Sequence, residues 1–515
     1  MTARPATVAL PVATVRRLEA RAMAELPEGT LMARAAAAIA VSAGAMLREV
    51  VGHVTGSRVL LLVGAGDNGG DALYAGARLA ARGARVDAVL VADRHHAAGA
   101  GALVRAGGRL HTAADLLAAA ELVAMADLVV DGILGIGGRG ALREPAATLA
   151  AVARETDASV LAVDLPSGID ADTGVVEDGE RVVRADRTVV LGVLKPGLLV
   201  GAGATCSGDL EVVDIGLDLS ALDPAGTVVR VDDEAATAAL GRPGASDDKY
   251  TRGVVGVSTG SAGYPGAAVL STGGARRGVA GYVRYSGPAH EQVVAAWPDV
   301  VARAEGVGDA GRAQCWVVGS GRGTDEAARL ALLDAAALPA TLVLDADALT
   351  LLAGDHEVRA AVASRSASTV LTPHDGEFAR LAGAAVGPDR VAAARGLAAS
   401  TSCVVLLKGA TTVVAAPSGS AYVAVAAPPE LATAGSGDVL AGFLGSLLAH
   451  HGATGEVDDE TAARLAAVAA HVHGVAGALA VGAGRTITAV DVLAALPAAV
   501  GTVRARAGAG AQQDA

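Results

Sequence analysis

Two glycine-rich stretches each set carboxylates where a ligand could reach them. Near the far end, Ala432 to Gly442 reads A-T-A-G-S-G-D-V-L-A-G. Glycines let backbone amides approach a ligand, and a helix opening at about Val439 would turn the positive end of its dipole toward an anion. Asp438 stands at the mouth of that hole, where a carboxylate can take the proton of a hydroxyl attacking a terminal phosphoryl group. Taken alone, the same turn also reads as an aspartate capping a helix. Near the other end, Val63 to Asp71 reads V-G-A-G-D-N-G-G-D. Its spacing is not the dinucleotide G-x-G-x-x-G, and Asp67, Asn68 and Asp71 crowd the loop with side-chain oxygens of the kind a monovalent cation takes.

Such loops need strands behind them. Arg58 to Gly64 is a short continuous apolar run, the pattern of a buried parallel strand. Val86–Val91, Asp127–Asp131, Ser159–Val163 and Arg187–Leu191 repeat it, separated by Ala-rich stretches long enough for crossover helices. Val12 to Met46 carries a helical pattern broken at Pro27-Glu28-Gly29, and a further helix is expected over Ala72–Arg82. The pattern weakens from Asp214 to Arg242 and restarts at Gly253-V-V-G-V-S-T-G. More strands are expected at Gln314–Val318, Thr341–Leu344, Thr369–Leu371, Cys403–Leu407 and Thr412–Ala415. The fold class is therefore α/β, with a Rossmann-like doubly wound domain over 1–222, a second α/β domain over 223–502, and a disordered tail over 503–515.

Composition narrows the function. Hydrophobic residues make up 52% of the 515 but aromatics only 2%, so Ala, Val and Leu must build closely packed layers. A net charge of −13 argues against a nucleic-acid surface, which needs a basic stripe. Cys206, Cys315 and Cys403 lack metal spacing and read as buried thiols of a reducing compartment. The charged N-terminal helix does not read as a signal peptide, and no apolar run of about twenty residues is expected to span a membrane. These features imply a cytoplasmic protein with neither a nucleic-acid nor a membrane partner.

Upstream of Asp438 lie Leu371-T-P-H-D-G-E-F-A-R-L and Leu406-L-K-G-A-T-T-V-V-A, each at a strand end. With Gly260-S-A-G-Y-P-G-A-A, Val317-V-G-S-G-R-G, Leu344-D-A-D-A-L and His471-V-H-G, they resemble the ribokinase-like ADP/ATP-dependent NAD(P)H-hydrate dehydratases over roughly 249–496. The turn here is A-G-S-G-D where that family often has G-G-T-G-D. The resemblance implies that Lys408, Gly409, Ala410, Thr411, Thr412 and Gly437 hold ADP or ATP with Mg2+. It also implies that Ala267, Gly321, His374 and Asp438 line the hydrate pocket, with Asp438 catalytic. Outside such motifs, His374 would read as a structural histidine and Lys408 as a surface lysine.

The Gly64–Asp71 loop, with Val130-D-G-I-L-G-I-G-G-R and Ala162-V-D-L-P-S-G-I-D-A-D-T-G, resembles the NAD(P)H-hydrate epimerases. By that resemblance Asn68, Asp131 and Ser167 coordinate potassium. Asp67, Asn68, Gly69, Gly70 and Asp71, then Gly135, Ile136, Gly137, Gly138, Arg139, Gly140 and Ala141, together with Asp164, hold the hydrated nucleotide. Asp164 is the candidate acid/base. It would protonate the departing C6 hydroxyl and deprotonate the water arriving on the opposite face.

Together the resemblances imply a bifunctional repair enzyme acting on the hydrates of NADH and NADPH, NADHX and NADPHX. It would epimerise the R and S forms and dehydrate the S form, releasing AMP (from ADP) and phosphate, and a homo-oligomer is expected. The alternative is a vitamin or sugar kinase of ribokinase-like fold with a non-catalytic ligand-binding N-terminal domain.

Overall fold

The structure is a computed structural model that describes residues 7–220, 222, 226–424 and 427–513. It divides into two compact units, Met1–Val228 and Val229–Ala515. The boundary expected at 222/223 and the end of the expected tail touch residues outside that described set.

In the first unit, helices Val12–Glu25 and Thr30–Val50 flank the predicted break. The strands are β1 (Val8–Ala9), β2 (Arg58–Val63), β3 (Arg85–Leu90), β4 (Arg109–Thr112), β5 (Leu128–Gly132), β6 (Ser159–Val163), β7 (Arg187–Leu191) and β8 (Asp209–Val213). Seven of them form a parallel sheet in the order β4-β3-β2-β5-β6-β7-β8. Its core follows from the strand period of two. Val59, Leu61 and Val63 enter one apolar cluster, while Leu60 and Leu62 enter another on the opposite face. Chain order reverses between β2 and β5, so a crevice opens at their carboxyl ends, where doubly wound sheets bind ligands.

The second unit adds β9 (Val228–Arg230), β10 (Val254–Ser258), β11 (Tyr282–Ser286), β12 (Val301–Arg303), β13 (Cys315–Val318), β14 (Thr341–Leu344), β15 (Thr369–Leu371), β16 (Val404–Leu407), β17 (Val413–Ala415) and β18 (Ala421–Val423). Its sheet runs β9-β18-β17-β16-β15-β14-β13-β10-β11-β12. Pairing is parallel among β10–β16 and antiparallel through β16, β17 and β18. Helices Pro265–Arg276 and Ser436–Thr454 pack against this sheet and each other. Their contact is so close that a Cβ on Gly442 would lie 1.9 Å from the Ser271 carbonyl oxygen, and one on Gly274 would lie 2.3 Å from that of Val439.

Four expectations need correction. The helix over 72–82 begins at Asp67, because extended Gly66 ends the preceding turn early and the glycines of the loop form the first helical turn. The second ligand helix begins at Ser436 rather than near Val439, because left-handed Gly435 (φ 86°) reverses the chain there. The stretch from 503 is not a disordered tail: helix Ala489–Gln513 runs through it, and Val503 is fully buried in the core. Finally, Thr30–Val50 and Asp459–Val481 are long and apolar enough by composition to cross a membrane, but they are Ala-rich and contribute buried residues to their own units' packing.

Candidate active sites

At the carboxyl ends of β2, β5 and β6 the first unit gathers its predicted residues. Asp131 is fully buried on β5. Its carboxylate accepts hydrogen bonds from Ser167 Oγ (2.7 Å), the Ser167 amide (2.8 Å) and the Ile133 amide (3.1 Å). Burial nevertheless pushes the carboxyl up to about 6, and no cationic side chain pairs with it among the described residues. Asn68 donates from Nδ2 to the carbonyls of Leu134 and Val163, both at 3.0 Å. The spot is thus rich in oxygen, with two carbonyls, a hydroxyl and a carboxylate around one amide. Gly135 lies against Asn68, whose Oδ1 would be 3.2 Å from a Cβ there. Arg139 is exposed, and Gly140 leads away toward Glu177.

Asp164 follows β6 with a left-handed backbone (φ 67°), a conformation an L-residue holds only where its surroundings enforce it. Two contacts enforce it: Asp164 Oδ1 accepts from the Leu191 amide (3.0 Å) and from Lys195 Nζ, which also donates to the Leu191 carbonyl (3.1 Å). Lys195 is 1% exposed. Sequence reasoning missed it, although Lys195 directly precedes the Pro196-Gly197 turn at the end of a strand segment. Asp71 is also buried, and its Oδ1 has no hydrogen-bond partner. Burial, with the charges of Asp164, Asp67 and Glu19, pushes Asp71 up to about 8. Burial and Asp164 raise Glu19, from helix Val12–Glu25, in the same way.

In the second unit, strand-end loops converge on Asp438. It occupies the first turn of helix Ser436–Thr454, whose opening amides have no side-chain cap and so could accept an anion. Buried Asp345, after β14, accepts from Ser320 Oγ (2.9 Å), Thr372 Oγ1 (2.7 Å) and Lys408 Nζ (2.8 Å). Lys408 Nζ also lies 3.8 Å from Glu377. Burial alone would raise Asp345 and lower Lys408. Their pairing reverses both, holding the carboxyl below and the ammonium above its ordinary range. Burial and the charge of Asp345 push Asp438 up to about 7, against the opposing pull of Ser320 and Lys408.

The remaining predicted residues gather around this core. Gly321, in left-handed backbone, sits against Ala267, where a Cβ would be 2.8 Å from the Ala267 methyl. The Lys408 amide donates to Pro373 (2.8 Å), joining the Lys408–Thr412 loop to the His374 loop. His374 caps helix Asp375–Ala382, accepting at Nδ1 from the Gly376 amide (3.0 Å), while its side chain remains 57% exposed. It therefore serves the structural role while its ring stays open to solvent. Lys408 Nζ is spent on the carboxylates of Asp345 and Glu377. His473, pushed down to about 4 by burial, stays neutral and donates from Nε2 to the Ser436 carbonyl (3.1 Å), fixing the start of the helix that carries Asp438. The sequence reading missed Ser320, Asp345 and Thr372 as a network, although Asp345 lies in a quoted motif.

Fold and sites define a two-module α/β enzyme, one module built around a carboxylate–lysine pair and the other ribokinase-like. A family model described as YjeF-related protein N-terminus matches residues 28–197, and one described as NAD(P)H-hydrate dehydratase matches 255–497. The chain is 48% identical over 450 residues to the bifunctional NAD(P)H-hydrate repair enzyme Nnr of Mycobacterium tuberculosis, covering 86% of this chain and 90% of that one. It is 34% identical to the enzyme of the same name from Corynebacterium glutamicum, covering 81% and 83%. Among solved structures, ADP/ATP-dependent NAD(P)H-hydrate dehydratase from Bacillus subtilis, co-crystallized with ATP/Mg2+, is 26% identical, covers 53% of this chain and 97% of its own, and aligns with a TM-score of 0.46. The chain belongs to the family of bifunctional NAD(P)H-hydrate repair enzymes.

Proposed function

We propose that the second unit dehydrates the S hydrates of NADH and NADPH at the expense of ADP or ATP, and that the first unit interconverts the R and S hydrates. The observation that carries the first step is Asp438, a carboxyl poised near 7 in the opening turn of a helix. A base of that strength takes the proton of the C6 hydroxyl as its oxygen attacks the terminal phosphorus. The P–O bond to the donor breaks, leaving AMP from ADP or ADP from ATP. The ring nitrogen's lone pair then expels phosphate from C6 and a proton leaves C5, restoring the ring double bond. Amides at Gly437 and Gly409–Thr412 would bind the donor's phosphates. Asp345 is committed to Lys408 and Asp438 to the proton, so Mg2+ would be held mainly by the donor's own phosphates, where it would neutralise charge on the transferred group.

In the first unit Asp71 retains its proton to about pH 8 and is the group able to protonate the leaving C6 hydroxyl, while Asp164, held by Lys195, accepts a proton from the water added on the other face. Asn68, Asp131 and Ser167, with the neighbouring carbonyls, suit potassium, whose charge would offset the buried carboxylate of Asp131. Three buried unpaired cysteines accord with a cytoplasmic setting.

The deciding experiment follows recovered dihydronicotinamide absorbance and free phosphate together, for each epimer with ADP and with ATP. Stoichiometric NAD(P)H and phosphate are expected. A phosphorylated product that persists would make the second unit a kinase instead. Omitting potassium is expected to slow recovery of the R hydrate and leave the S hydrate unaffected.

A further inference from the structure

The second unit contains a basic cavity that takes no part in this chemistry. It has a volume of about 260 Å³ and is lined by Arg242, Arg252, Arg277, Arg504 and His450 over an otherwise mainly apolar wall. Its position separates it from the catalytic loops. His450 lies twelve residues beyond Asp438 on the same helix, which is about 18 Å along the axis. Arg252 precedes β10, whereas the catalytic loops follow the carboxyl ends of the strands.

None of the four arginines forms an ion pair among the described residues, in a chain whose net charge is −13. Their hydrogen bonds use only backbone carbonyls: Arg252 donates to Val279 (3.0 Å) and Arg504 to Gly241. The Nε donors of Arg277 and Arg504 are buried with no partner. His450 Nδ1 donates to the Arg252 carbonyl (3.1 Å), tying one wall to the next. Helix carboxyl ends at Leu240 and Arg276 lie beside the cavity and account for part of this positive charge. At about −0.5 each, and with the Asp299 carboxylate acting on Arg277, they do not balance four guanidinium groups. Burial and the neighbouring charge of Arg242 lower the proton affinity of Arg504, as two guanidinium groups facing one space would.

The geometry points to a second anion site, specific for a phosphate dianion carried by inorganic phosphate or by a small phosphomonoester. Guanidinium forks match the oxygens of phosphate in pairs. The cavity falls just below the roughly 300–1,000 Å³ of common ligand pockets, so it admits a phosphate with a short substituent and excludes a dinucleotide.

The test is calorimetric titration of the full chain with inorganic phosphate, and separately with glycerol phosphate, at constant ionic strength in chloride. Arg242 is exposed, so R242Q is expected to fold as the parent does and to weaken one saturable class of phosphate binding at least about threefold. R242Q combined with R277Q is expected to weaken it at least about tenfold. Preference for glycerol phosphate assigns the site to a phosphorylated metabolite, and preference for inorganic phosphate to the free ion. Isotherms of R242Q and of the double variant that superimpose on the parent's would overturn the site, as would loss of all binding on replacing one chloride concentration by a higher one without any dependence on Arg242.

Discussion

Both units place an aspartate at the rim of a sheet beside a glycine-rich turn, yet the two are held in opposite ways. Asp164 is fastened by the Lys195 ammonium and the Leu191 amide, and the neighbouring Asp71 is the acid forced to keep its proton. In the second unit the lysine is fastened to a different carboxylate, Asp345, and Asp438, the proposed base, is left poised near 7. Position in the fold therefore does not determine the role of a carboxylate. The partner of the nearest lysine does. A charge-paired aspartate with a neutral acid beside it suits reversible exchange of a hydroxyl between two faces, whereas a single poised base suits one-way phosphoryl transfer.

The strongest test of that contrast is Asp438→Asn. It removes the base but keeps the amides of the anion site, so dehydration is expected to fall by roughly 10²–10⁴-fold with donor affinity retained. Epimerisation by the same preparation should be unchanged, and comparable losses in both reactions would dissolve the division of labour. Next comes Lys195→Met. It strands a buried carboxylate and should cost about 3–5 kcal/mol in the first unit, together with most of its epimerase activity. Denaturant unfolding read beside dehydration of pure S hydrate checks it, since dehydration should survive wherever the second unit remains folded.

The two reactions should also respond to pH with opposite sign. Dehydration needs ionised Asp438, so kcat should rise about tenfold per pH unit below about 7 and level off above it. Epimerisation needs protonated Asp71 and should decline as pH passes about 8. Parallel profiles would show that the assignments are mistaken. The smallest effect is thermodynamic. Because folding raises the proton affinity of Asp71, the native state binds the extra proton between the ordinary aspartate range and about pH 8, and stability is lost as pH rises through that window. Asp71→Asn should therefore raise the unfolding temperature of the first unit by a few degrees at pH 8 and by little at pH 4, roughly a 1 kcal/mol effect or more.

The sheet interiors were legible in the sequence because apolar runs such as Arg58–Val63 and Val404–Leu407 admit no other use. Edge strands such as Arg109–Thr112 and Val301–Arg303 were not, since half-exposed positions tolerate Arg and His and blur the pattern. The helix Asp233–Leu240 was hidden in the same way among acidic residues, although Asp232 caps it by accepting from the Ala235 amide. Site loops were found through their glycines and carboxylates. Lys195 and the ties of Asp345 escaped because they reach the sites only through contacts between segments distant in sequence. The starts of the two ligand helices were misplaced because glycine reads as loop, whereas here it opens the helix.

The close approach of Gly442 to the Ser271 carbonyl, and of Gly274 to that of Val439, bears on how this enzyme can vary. Neither residue has a side chain that could carry chemistry. Yet one added methyl at either would lever the helix that carries Asp438 away from its neighbour. In an inventory of natural or laboratory variants, these two positions should be as intolerant of change as the catalytic aspartate, and their losses should appear as failed catalysis in a chain that still folds.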